Sequence, residues 1–110
     1  MWSFPSTGLW QIDVNAQWQV SQDIVGILIT YVSTDSGSNW QNIGNNVGGH
    51  QGTTFMMCVS NTKFFVNVTD ISTFRVKFAT SSFASTDVRL TGDTNFNETH
   101  FTFIRLGDSV

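Results

Sequence analysis

The chain has 110 residues, the size of one domain, and is 40% hydrophobic and 14% aromatic but only 12% charged, where a typical soluble domain has about 25% charged residues. Ten Phe and four Trp exclude intrinsic disorder, and the scarcity of Ala, Glu and Lys excludes a coiled coil or helical bundle. A net charge of -3 with five basic residues leaves no electrostatic footprint for nucleic acid or an anionic membrane.

In chain order, the first clear element is a half-solvated strand. Trp10, Ile12, Val14, Ala16 and Trp18 alternate with Gln11, Asp13, Asn15 and Gln17, and a period of two puts the two sets on opposite faces. Ile24 to Val32 follows and is apolar on both faces. Thr34-Asp35-Ser36-Gly37-Ser38-Asn39 then reads as a loop, with Trp40, Gln41 and Asn42 on or beside it. A second loop is predicted from Asn45-Asn46-Val47-Gly48-Gly49 to Gly52, carrying His50 as an exposed residue.

Phe55–Val59 and Phe64–Val68 read as two strands joined by a tight hairpin at Ser60-Asn61-Thr62-Lys63. Cys58, the one cysteine, lies in an apolar run and reads as a small buried hydrophobe. Thr73 to Phe78 alternates again, with Phe74, Val76 and Phe78 inward and Arg75 and Lys77 outward. After a loop at Thr80 to Ser85, Thr86 to Leu90 repeats the pattern with Val88 and Leu90. Gly92 to Glu98 is the last loop, and Phe101 to Leu106 the closing strand. Like Ile24–Val32 and Thr54–Val59, the closing strand is apolar on both faces, so each of these segments needs cover on two sides.

No window carries helical periodicity. About eight strands with turns at this spacing predict one all-β domain over residues 1–110, an antiparallel two-sheet sandwich of jelly-roll or immunoglobulin type. The immunoglobulin form loses ground because paired cysteines around a core Trp are missing. The chain opens without a basic region and apolar stretch, which predicts no signal peptide. Its longest apolar run, Ile24 to Ile29, is far shorter than the ~20 residues of a membrane span. A soluble protein, or one carried outside the cell as part of a particle, is expected.

The motifs that carry chemistry are missing from the sequence. It has no Gly-x-Ser-x-Gly elbow and no phosphate loop followed by Lys. One Cys with His50 and His100 cannot build a zinc site with carboxylates at recognisable spacing. Asp93 to Glu98 opens like a calcium loop, but Glu98 and Ile104 stand where an EF-hand needs Gly and Glu. No cofactor, metal or catalytic residue is predicted. Trp40 is the remaining cue: an aromatic flanked by Asn39, Gln41 and Asn42 is what a sugar-binding surface uses, although an indole packed inward at a strand start accounts for it as well.

Phe4-Pro5-Ser6-Thr7-Gly8-Leu9-Trp10 resembles the "aromatic, Pro, x, x, Gly, aliphatic, aromatic" lead into a central strand of the trimeric jelly rolls, the superfamily of tumour necrosis factor and the complement globular heads. Thr69-Asp70-Ile71-Ser72-Thr73-Phe74-Arg75-Val76 is similar to a later segment of that pattern, and Thr99 to Leu106 to its closing strand. Phe101-Thr102-Phe103-Ile104-Arg105-Leu106-Gly107-Asp108 is similar to the tails of marine bacteriophage structural proteins with this fold. Phe103 stands where the family commonly has Gly, and the family's leading strands have no counterpart before Phe4. The domain is therefore a minimal version, or the C-terminal part of a longer fibre or head protein.

The resemblance implies a non-enzymatic homotrimer that serves as a structural or receptor-binding module of a virion. Phe101 and Phe103 are expected toward the three-fold axis. Trp10 and Tyr31 would extend the contact, and Arg105 would lie toward one end of it. A ligand, such as a host-cell surface glycan or receptor, would meet the loops carrying Asn39, Trp40, Gln41, Asn42 and His50. The alternative is a monomeric carbohydrate-binding sandwich.

Overall fold

The computed structural model describes residues 1–20, 24–50, 56–81 and 88–110, with the backbone alone at positions 24, 50 and 81. The strands are β1 (Trp2–Ser3), β2 (Gly8–Val20), β3 (Ile24–Ser33), β4 (Gln41–His50), β5 (Met56–Val68), β6 (Arg75–Ser81), β7 (Val88–Leu90) and β8 (His100–Gly107). They form two antiparallel sheets packed face to face. Sheet A has the order β1-β6-β3-β4; in sheet B, β2 lies between β5 on one side and β7 and β8 on the other. The chain changes sheet at every connection except β3–β4 and β7–β8. Among the described residues only β3–β4 is a hairpin of neighbours in sequence, so most of the pairing there is non-local.

The alternation in β2 sets the core. Trp10, Ile12, Val14, Ala16, Trp18 and Val20 are all buried, while the residues between them are half-exposed. On the facing sheet the inward side chains are Leu28, Thr30 and Val32 from β3 and Val76 from β6. The expected inward set of Phe74, Val76 and Phe78 is found, with Phe78 on the margin of the core.

Two elements differ from the sequence reading. The hairpin expected at Ser60 to Lys63 does not form: β5 runs straight through it, paired with β2 from Val20↔Met56 to Gly8↔Val68. Ser60 and Thr62 are inward positions on a continuous strand, and Ser60 Oγ accepts a hydrogen bond from Trp18 Nε1 at 3.2 Å. A small polar residue there serves the indole rather than a turn. The glycine-rich stretch 45–49 is likewise strand β4, paired with β3. The rest of that expected loop, residues 51–52, and positions 82–87 and 54–55 lie outside the described residues.

Gly26 of β3 and Gly44 and Gly48 of β4 are required by packing. Gly26 and Gly48 pair across β3 and β4, and the Trp18 indole of the opposite sheet lies in the slot between them. A Cβ on Gly48 would stand 2.2 Å from Trp18 Cδ1, and one on Gly26 would stand 2.5 Å from Cζ3. Gly44 leaves the same opening for Phe64, whose Cε1 would be 2.2 Å from an added Cβ. Overpacking of this kind costs about 1–3 kcal/mol in cores that can relax, and a slot closed by two backbones relaxes little. Gly48→Ala is expected to destabilise the protein by about 3 kcal/mol in urea unfolding. In a Trp18→Leu background the same substitution should cost much less, a coupling that a double-mutant cycle measures directly.

Candidate binding site

The loop between β3 and β4 is the most highly organised turn in the described structure. Asp35 is its centre: Oδ1 accepts from Ser33 Oγ at 2.7 Å and from the Asn39 backbone N–H at 2.8 Å, and Oδ2 accepts from Asn39 Nδ2 at 2.7 Å. Ser33 Oγ in turn accepts from the Gly37 N–H at 2.9 Å. Ser36 takes the left-handed conformation at φ 60°, as Gly37 does at φ 92°. The Ser36 N–H donates to Thr73 O at 2.8 Å, tying the loop to the segment before β6. These bonds offset the ~1 kcal/mol that a non-glycine residue costs in that region.

Trp40 leaves this loop half-exposed, with its indole against Gly37 and under the Lys77 ammonium, 4.2 Å from the ring centroid. Tyr31 is 5.1 Å from the same ammonium, because β6 pairs with β3 in a register that sets Lys77 opposite Tyr31. Val32, Ser33, Thr34, Asp35, Asn39, Trp40 and Gln41 line a cleft of about 180 Å³. An inward Trp40 does not occur.

Of the residues expected at a ligand surface, Asn39, Trp40 and Gln41 therefore come together. Asn42 is exposed beside them, but its Oδ1 accepts the Gly44 N–H at 2.8 Å and serves the start of β4. His50 is excluded from the site. It stands at the opposite end of β4, and at ~3.3 Å per residue that strand separates it from Gln41 by roughly 30 Å; its side chain lies outside the described residues. Asp35, Ser33 and Lys77 were not singled out in the sequence. An Asp followed four residues later by Asn is a turn signal that reads locally, whereas Lys77 reaches Trp40 only through the β3–β6 pairing.

The expected interface residues divide differently. Trp10 is core, 7% exposed, with Nε1 donating to Ser6 O at 3.1 Å. Phe101 and Phe103 also face the sandwich: Phe101 stacks on Phe78 at 4.0 Å, and Phe103 meets Phe4 and Phe78 edge-on. Both rings are half-buried in the single chain, because β8 lies beside β2 and turns them onto β6 at the side of the core. Arg105 shares their face at the strand's end, where it donates to Thr7 O and pairs with Asp108 at 2.9 Å. Tyr31 does lie on an outer face, that of sheet A. The large apolar side chains exposed on sheet B include Ile104 and Leu106 of β8 and Phe65 of β5, at 42%, 54% and 65%, with Met56, Met57 and Val59 further along β5; Phe65 and Ile104 flank Gln11 in one cross-strand row.

Two carboxylates are lowered by hydrogen bonding. Hydrogen bonds from the Asn39 side chain, the Asn39 N–H and Ser33 hold the Asp35 carboxyl down at about 2, from an ordinary 3.8. Asp70 is lowered by the same kind of bonding from Ser72. Among the described residues no group of three or more His, Cys, Asp or Glu is placed to hold a metal, and no helix is long and apolar enough to cross a membrane.

The sign of the pH effect follows from the depressed Asp35 value. Its ionised form stabilises the folded loop at any pH above about 3.8, and that contribution is lost as the pH falls toward about 2. Relative to the intrinsic exchange rate at each pH, the protection of amides 33–40 should fall across this window in the wild type. In Asp35→Asn that protection should already be low at neutral pH and stay flat.

The chain matches no protein-family model, no curated protein and no solved structure, so the functional reading rests on this geometry.

Proposed function

We propose that the chain is a non-enzymatic module of a virion, a fibre or capsid knob that works as a homotrimer and presents its loops to a receptor. The observation that carries this reading is the apolar surface left on the outside of sheet B by Phe65, Ile104 and Leu106. The outer face of sheet A adds Val25 and Val47, both about half-exposed, with Ile27 opposite Val47 and Ile29 next to it on the same face of β3. Two different patches on opposite faces suit a heterologous contact, in which one copy's sheet A meets its neighbour's sheet B. Repeated with a closing rotation, such a contact makes a ring.

Side chains already half-covered gain about 1 kcal/mol each on full burial, so these patches contribute to association alongside the polar contacts around them. The crossing pattern between sheets supports the jelly-roll form of the sandwich. The likeness of residues 101–108 to phage structural proteins supports the virion setting. Two lowered Asp pKa values are poor material for general acid or base catalysis at neutral pH, which favours a binding role. A monomeric carbohydrate-binding module is the second reading, favoured by the cleft at Trp40.

Light scattering after gel filtration separates the two: three chain masses support assembly, and a folded monomer at micromolar concentration overturns it. In a trimer, Ile104→Asp and Phe65→Asp should each release folded monomer, because both side chains point outward. Phe103→Asp should instead lower the melting temperature sharply, since it buries a charge among Phe4 and Phe78.

A further inference from the structure

We propose that the cleft between Asp35 and Trp40 binds a single ring of a neutral saccharide, an inference that rests on the receptor-binding part of the function above. Size comes first. Pockets for drug-sized ligands span about 300–1,000 Å³, and at about 180 Å³ this cleft takes one six-membered ring, such as the terminal unit of a glycan.

The groups left unused in the cleft define its chemistry. A carboxylate offers about four acceptor positions, and three donors occupy Asp35, leaving Oδ2 one position open. Asn39 spends an amide N–H on Asp35 and keeps its Oδ1 as an acceptor. The side chains of Gln41 and Thr34 make no hydrogen bond among the described residues, and each can both donate and accept. The lining is therefore rich in acceptors and suits a ligand bearing several hydroxyl donors. Beside them stands the half-exposed indole of Trp40, suited to the C–H face of a sugar ring that displaces the Lys77 ammonium from it.

Charge favours a neutral ligand, because the Asp35 carboxylate and the Lys77 ammonium at the Trp40 ring offset one another. The Asp35 carboxylate repels a carboxylated, sulfated or phosphorylated ring at any pH near neutrality. A cationic ligand that seeks the indole must compete with Lys77, already 4.2 Å from that ring and within the same molecule. What remains is an uncharged polyol. The loop is also fixed before the ligand arrives, by the Asp35 bonds and by the Ser36 tie to Thr73, so little ordering cost falls on binding.

Saturation-transfer NMR on the whole chain tests this with glucose, galactose, mannose and N-acetylglucosamine, and with N-acetylneuraminate and choline as charged probes. At least one neutral sugar should receive saturation, with amide shifts confined to residues 32–41. Trp40→Ala and Gln41→Ala should each weaken that sugar's binding about tenfold or more. Gln41 is exposed and has no hydrogen bond to lose among the described residues, so its variant should melt as the wild type does. No binding by any neutral sugar, binding of a charged probe alone, or sugar binding unaffected by both variants overturns the proposal. Scattering reports assembly separately: a trimer that binds no sugar refutes the cleft, and a monomer that binds sugar refutes the assembly.

Discussion

The spacing of the two sheets depends on one side chain. Trp18 is the largest fully buried side chain of the core, and it fits only because the sheet facing it has no Cβ at Gly26 or Gly48. The cross-strand pairing of those glycines makes a flat trough of two backbones, and the indole lies along it. Polar groups then fix its depth and rotation. Nε1 donates to Ser60 Oγ of its own sheet. Asn46, two residues before Gly48, reaches across the sandwich to donate to Val14 O at 3.1 Å and Ser60 O at 3.2 Å. A buried amide bonded to the opposite sheet is costly to misplace, so it penalises any register of β4 that would move Gly48 off the indole.

With that end of the sandwich set by glycine and indole, its open side is closed by rings. β1 and β6 on one sheet face β8 on the other, and the gap holds Trp2, Phe4, Phe78, Phe101 and Phe103 in edge and stacked contacts. This is why β8, apolar on both faces, resolves as it does. Its inner aromatics are consumed in closing the core. The outward pair, Ile104 and Leu106, is left exposed, with no covering layer among the described residues.

Strict alternation made β2 legible from its residues, and with it most of the core, because a strand solvated on one face encodes its own orientation. The alternations around Val76 and Val88 were readable for the same reason. β4 was not, because it contains Gly44, Gly48 and Gly49, and glycine in sequence is turn punctuation until a large side chain on another strand is seen to need the space. The same ambiguity hid the continuity of β5, whose Ser60-Asn61-Thr62-Lys63 has turn composition but is held straight by thirteen paired positions along β2. Local sequence gives a residue's preferences; the partner strand decides which preference is used. The site followed the same division. Asn39, Trp40 and Gln41 are contiguous and could be read as a group, whereas Lys77 joins them through a strand register that no local pattern contains.

The rule that builds the core also builds the cleft, with the opposite result. At Trp18, glycine backbone receives an indole from the facing sheet and every remaining side of the ring is covered. At Trp40, Gly37 again supplies backbone for an indole to lie against, with an added Cβ 3.3 Å from the ring. Here, however, the loop ends before a second layer is laid over it. Lys77 covers part of the ring with a charge that stays hydrated, not with an apolar group. A residue that merely lacked space in the core would be mobile at the surface. Trp40 is instead held by a strained, fully bonded turn whose carboxylate has most of its acceptor capacity occupied. The order in that loop exceeds what joining β3 to β4 requires, since two antiparallel neighbours can be connected by two residues. The longer turn leaves Trp40 half-exposed between Gly37 and Lys77, with the polar side chains of Thr34, Asn39 and Gln41 beside it.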